Sequence, residues 1–229
     1  MRIGILAASL PAAARIYSEL ESLPDCSFYT LVCNPEGRSL FHHLARSLAQ
    51  ALLKPERRRT WRLIRRSRIS FIRKPLDHPD SLTKLKRLEL DVGLHNVGVI
   101  YRDSTIKAFR LGILNPHIGI LPQYRGRCVM EWAVLQDGPI GVTLFFIDAG
   151  IDTGARVILS EEVDISHCKS VAEAKQYLFN LDAGFFRRGL EQLRAADFSY
   201  KLNDGSGHRY YVMSELLQGV VEQLIRVKK

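Results

Sequence analysis

Short apolar runs separated by helical stretches restrict the folds open to this 229-residue chain more than any other feature. Residues 3–8, 27–33, 69–72, 91–96 and 113–117 read as strands. Between them, residues 12–23, 40–66 (divided at Pro55) and 81–90 read as helices, with Ser81 as an N-cap. A helix over 104–111 follows, which Gly112 ends from the left-handed position. A strand that is apolar along its length suits a parallel sheet covered on both faces. The alternation therefore predicts an α/β fold, a Rossmann-like open, mostly parallel sheet flanked by helices with right-handed crossovers. Ligands bind beyond the carboxyl ends of the strands in such sheets. Further on, the pattern gives a helix over 129–136, strands over 141–147 and 156–163, and one long helix over 171–195. The tail reads as a turn (203–207), a strand (209–213) and an amphipathic helix (214–226). It is too short for a domain, so residues 1–195 are expected to form one domain with 196–229 as an appendage packed on it.

With 46% hydrophobic and 25% charged residues and a mean hydropathy of −0.06, the composition is that of a globular protein with a sizeable core. No apolar run approaches the roughly 20 residues of a membrane span. The first apolar run is short and Pro11 follows it, so it reads as a buried strand rather than a signal peptide. The cysteines at 26, 33, 128 and 168 show no metal-ligand spacing, and they imply buried thiols in a reducing cytoplasm. No dinucleotide fingerprint, phosphate loop or Gly-x-Ser-x-Gly elbow is present.

The net charge is +9 and the pI about 9.6, which favours an anionic partner or substrate. Residues 54–74 concentrate it: Arg57, Arg58, Arg59, Arg62, Arg65, Arg66, Arg68 and Arg73 are relieved only by Glu56. Two readings stand here, a solvated helix face or a phosphate-binding surface for a nucleotide or nucleic acid.

The chemistry concentrates between Leu114 and Gly126. Alternate residues of a strand share a face, so Asn115 and His117 can point into one pocket. A hydrogen-bond donor beside an acid/base group is what acyl transfer requires. Pro116 fixes the backbone between them, and Leu121-Pro122 is a place where a cis bond is possible. Tyr124-Arg125-Gly126-Arg127 is either a polar turn or a binder of an anionic substrate group, through Tyr124, Arg125 and Arg127. Asp152, in a loop with Gly150 and Gly154, is either a turn aspartate or the carboxylate that orients the imidazole.

The stretch 91–162 resembles the folate-dependent formyltransferase family. The resemblance rests on Asn115-Pro116-His117, Leu121-Pro122-Gln123-Tyr124-Arg125-Gly126, Gly141-Val142-Thr143 and Asp152-Thr153-Gly154, taken in order. It implies Asn115, His117 and Asp152 as the catalytic trio, 10-formyltetrahydrofolate as formyl donor, and no metal. It also implies a folate pocket built from Val99, Ile100 and Tyr101 together with Ile147, Asp148 and Ile151. Where many relatives carry Pro-Ser after the histidine, this chain has Ile118-Gly119, and Ala7-Ala8-Ser9-Leu10-Pro11 replaces a glycine-rich start. The short tail does not match the C-terminal barrel of the tRNA enzymes. The expected acceptor is therefore an amino sugar carried on a nucleotide, or another small anionic amine, in a cytoplasmic enzyme that could form a homodimer. The alternatives are a formyltetrahydrofolate hydrolase, a tRNA or glycinamide ribonucleotide formyltransferase, and a non-catalytic nucleic-acid-binding protein that uses residues 54–74.

Overall fold

A computed structural model describes residues 1–33, 57–148, 154, 156–195, 198–203 and 206–227. The chain divides into two units, Met1–Leu114 and Asn115–Lys229.

In the first unit, β1 (Arg2–Ala7), β2 (Ser27–Cys33), β3 (Arg68–Ile72), β4 (Val92–Asn96) and the start of β5 (Gly112–His117) lie in the order β3-β2-β1-β4-β5. Each neighbouring pair is parallel. Ile3, Ile5, Leu6, Leu31 and Leu94 are fully buried, each contributing about 1.5–3 kcal/mol of transfer free energy. Gly4 pairs with Gly93 across β1 and β4. A Cβ would come within 3.2 Å of the Phe109 ring at Gly4 and 3.0 Å at Gly93, so the two glycines make room for that ring. At the strand starts, burial alone would raise the Asp91 carboxyl. The Arg2 N–H (2.7 Å) and the Arg110 guanidinium (2.6 Å) outweigh it and hold the carboxyl below its usual range.

Helix α1 (Leu10–Leu20) begins two residues before the periodicity suggests. Ser9 caps it, accepting from the Ala12 N–H, and Pro11 sits in the first turn, where no N–H is needed. Helix α2 (Arg57–Arg66) packs on α1, burying Thr60 and Leu63 and holding Arg62 to Glu21 at 2.5 Å. The rest of the expected helix, 40–56, lies outside the described residues. Helix α3 (Pro79–Arg87) is not capped by Ser81. Its cap is His78, whose Nδ1 accepts from the Asp80 N–H at 3.2 Å, because Pro79 takes the first helical position. Ser81 is buried inside the helix and donates to the Lys74 carbonyl. Helix α4 (Asp103–Ile106) ends well short of 111. The chain tightens into three-residue hydrogen-bonded turns through Ala108 and Phe109, and the Phe109 ring drops into the core. Gly112, at φ +117°, opens β5 and caps no helix.

The second unit holds the end of β5, then β6 (Tyr124–Gly126), α5 (Val129–Leu135), β7 (Gly141–Phe146), β8 (Arg156–Glu162), α6 (Val171–Asn180), α7 (Asp182–Leu193), β9 (Lys201–Leu202), β10 (His208–Tyr210) and α8 (Glu215–Val227). β7–β8 and β8–β9 are antiparallel, and β10 pairs with β6 in parallel. The expected single helix over 171–195 is two. A turn at Leu181, whose N–H reaches the Leu178 carbonyl, separates them. The strand expected over 209–213 is shorter, and β6 and β9 were not legible as strands.

Tail residues hold down the segment that carries residues 124–136. The Tyr210 ring stacks on Tyr124 at 5.4 Å, and its hydroxyl donates to Gln136 at 2.8 Å. Trp132 donates from its indole to the Tyr211 carbonyl at 2.9 Å, and α8 packs on α5. Among the described residues no helix is long and apolar enough to cross a membrane. The thiols of Cys33 and Cys168 are buried, whereas those of Cys26 and Cys128 are only half-buried, contrary to the expectation of four buried thiols.

Candidate active site

β5 ends on Asn115-Pro116-His117, and Asn115 and His117, with Pro116 and Ile118, line one cavity of about 570 Å3. Arg127, Glu131, Lys175 and Phe179 line the same cavity. His117 is 7% exposed and meets the Phe145 ring edge-on. Its Nε2 lies 3.0 Å from the Tyr124 carbonyl. A carbonyl only accepts, so Nε2 carries the hydrogen and the ring plane is fixed by main chain.

The turn between His117 and Tyr124 is held from below by Thr143. Its hydroxyl donates to the Gly119 carbonyl at 2.7 Å and accepts from the Leu121 N–H at 3.1 Å. Thr143 is fully buried, with Ser160 Oγ 3.0 Å away. Leu121-Pro122 is cis, as the sequence allowed. Leu121 packs with Phe145 and Val157, and Ile147 lies against that group.

Of the proposed acceptor-side residues, Arg127 lines the cavity. Tyr124 contributes its carbonyl, while its own ring is buried against Tyr210 and Val129. Arg125 is half-buried in β6, paired in register with Arg209. In the first unit, Val99 and Ile100 line a cavity of about 310 Å3, with Cys33, Leu76 and Thr105. Tyr101 is buried, and its hydroxyl and His95 Nδ1 are 2.8 Å apart. Burial pushes His95 down to about 4 and Cys33 up to about 12, and raises Tyr101 well above its ordinary value. Asp148 is half-buried; Ile151 and Asp152 lie outside the described residues.

Three features escaped the sequence reading. Thr143 was legible only as part of a motif, not as the clamp on the turn. Gly119 was visible only as a departure. The buried pair Glu131–Lys175 left one trace, a lone acid in the otherwise apolar run Val129–Leu135.

An amide and a fixed imidazole on one cavity wall are groups that suit acyl transfer as a class of chemistry. The comparison with known proteins narrows it. The profile of the family described as Formyl transferase matches residues 67–185, just over half of the chain, and the chain belongs to that family. A methionyl-tRNA formyltransferase of Prochlorococcus marinus is 28% identical over 128 residues, 52% of this chain and 38% of that protein. The chain thus spans less than half the length of that relative. A sugar N-formyltransferase from a Shewanella species shares the fold with a TM-score of 0.66 at 16% identity, over 98% of this chain and 87% of that one. A formyltransferase from Anoxybacillus kamchatkensis, crystallised with UDP-4,6-dideoxy-4-formamido-L-AltNAc and tetrahydrofolate, superposes with a TM-score of 0.57 at 17% identity, over the full length of both chains.

Proposed function

We propose that the protein transfers a formyl group from 10-formyltetrahydrofolate to the nitrogen of a small anionic amine, foremost an amino sugar carried on a nucleotide. The observation that carries this reading is the shared cavity of Asn115 and His117, with the imidazole held by the Tyr124 carbonyl. The acceptor nitrogen bonds to the formyl carbon, and the bond from that carbon to the folate nitrogen breaks. Asn115 donates to the oxygen as it gains charge. His117 relays the proton lost by the amine to the departing folate nitrogen. Asp152 is assigned to orient the imidazole on its motif, and Val99, Ile100, Tyr101, Ile147, Asp148 and Ile151 are assigned to folate on the same ground. Residues 1–195 carry the reaction in this reading, with 196–229 as an appendage that braces residues 124–136.

The acceptor class is supported by Arg127, a cation on the cavity wall that suits phosphate. The Anoxybacillus structure, which holds a UDP-linked formamido sugar, supports the same class. The arginines along the outside of α2 and the methionyl-tRNA formyltransferase relatives favour aminoacyl-tRNA as the second reading.

The test is incubation with 10-formyltetrahydrofolate and, in parallel, UDP-linked amino sugars, glycinamide ribonucleotide and methionyl-tRNA. The expected result is a sugar nucleotide heavier by one formyl group, with stoichiometric tetrahydrofolate. Formylated methionyl-tRNA alone would establish the second reading, and tetrahydrofolate released with no formylated product would sink both.

A further inference from the structure

Glu131 is out of place by the usual rules of burial. It sits in α5 among Val129, Met130, Ala133 and Val134, and it is 1% exposed. Lys175, from α6, pairs with its Oε1. Its other carboxylate oxygen, Oε2, is buried and has no hydrogen-bond partner. An unpaired charged oxygen taken out of water is destabilising, and a buried ion pair is seldom more stable than apolar residues of the same volume. Fold stability therefore does not account for the pair. Its position does: Glu131 and Lys175 both line the cavity that Asn115 and His117 line.

We infer that Glu131 is a specificity-determining residue, whose unpaired oxygen accepts a hydrogen bond from a hydroxyl group of the acceptor while Lys175 holds the carboxylate in place. This rests on the cavity being the acceptor site. The charges select the kind of donor. Glu131 and Lys175 cancel, and Arg127 leaves this wall with surplus positive charge. A second ammonium group is disfavoured there, whereas a neutral hydroxyl is not. Arg127 and the remaining N–H groups of Lys175 suit the anionic part of the same molecule. An amine that carries both hydroxyls and phosphate satisfies all three side chains at once. The Glu131–Lys175 pair thus discriminates a sugar amine from a plain anionic amine.

The test uses one UDP-linked amino sugar and a set of analogues, each lacking one sugar hydroxyl. The intact protein should use one of these analogues about 10- to 100-fold less efficiently in kcat/KM, the span of a hydrogen bond to a charged group. In Glu131→Ala that ratio should fall to about one. The paired variant Glu131→Leu/Lys175→Met removes both charges together, which preserves folding, and should lose the discrimination equally. The same ratio in folded Glu131→Ala or the paired variant as in the intact protein overturns the role of Glu131 while leaving the acceptor class standing. So does equal use of every analogue by the intact protein. Failure of the intact protein to formylate the parent sugar overturns the acceptor reading, and this inference with it.

Discussion

His117 donates from Nε2 to the main-chain carbonyl of Tyr124, 3.0 Å away, across a turn in which Gly119 leaves room for that bond. A Cβ at Gly119 would lie 2.7 Å from the Tyr124 oxygen and 2.9 Å from Nε2 itself. The substitution Gly119→Ala therefore pushes the imidazole or the carbonyl aside. A displacement of about 1 Å at a reacting group is enough to lower turnover about 100-fold, and that loss in kcat/KM is expected here. A folded Gly119→Ala protein with unaltered kinetics would show that the bond does not set the imidazole's working position.

Asn115 and His117 are separable by kinetics. Asn115→Ala removes one donor to the developing oxyanion and should cost roughly 2.7–4 kcal/mol of transition-state stabilisation. His117→Ala removes the proton relay, worth about 100- to 10,000-fold. Formyl transfer followed by product mass, with circular dichroism to check folding, gives both numbers. Turnover within a factor of three in both variants would remove these residues from the reaction.

Thr143→Val keeps shape but deletes the hydroxyl that bridges Gly119 and Leu121. It strands a carbonyl and an N–H in a buried turn. Each stranded group costs about 1–3 kcal/mol, so urea unfolding should show a loss of at least 2 kcal/mol. A change below half a kcal/mol would mean that the turn relaxes to other partners.

His95 predicts an acid limb in the stability of the first unit. Its half-buried imidazole is depressed to about 4 by desolvation, below the unfolded value near 6.5. Between those values the unfolded chain binds a proton that the folded one refuses. Stability is full above pH 6.5 and falls as the pH drops towards 4, by roughly 2.5 kcal/mol at pH 4.5. Urea midpoints measured at pH 7 and pH 4.5 test this, with His95→Asn as the control that should flatten the difference. An equally steep limb in the control would place its origin elsewhere.

How much of this was legible beforehand follows from the range of the forces involved. The apolar β1, β2 and β4 and the helices between them could be read because strand and helix periodicity are local. Helix ends were read less well. Ser81 looked like a cap, but the Pro79 that follows His78 had already started α3, and α4 stopped early because the Phe109 ring is drawn into the space left by Gly4 and Gly93. The break at Leu181 has no local signal at all.

The amino-acid order alone determined an α/β chain of the formyl transferase family with an amide and an imidazole two residues apart at a strand end. Those properties depend on neighbours in sequence and on a period of two. Only the tertiary structure decided that Tyr124 orients His117, that Thr143 clamps the intervening turn, and that Glu131 lies buried against Lys175 on the same cavity wall. Those contacts join residues on different elements, and their existence depends on how side chains share volume in a close-packed interior.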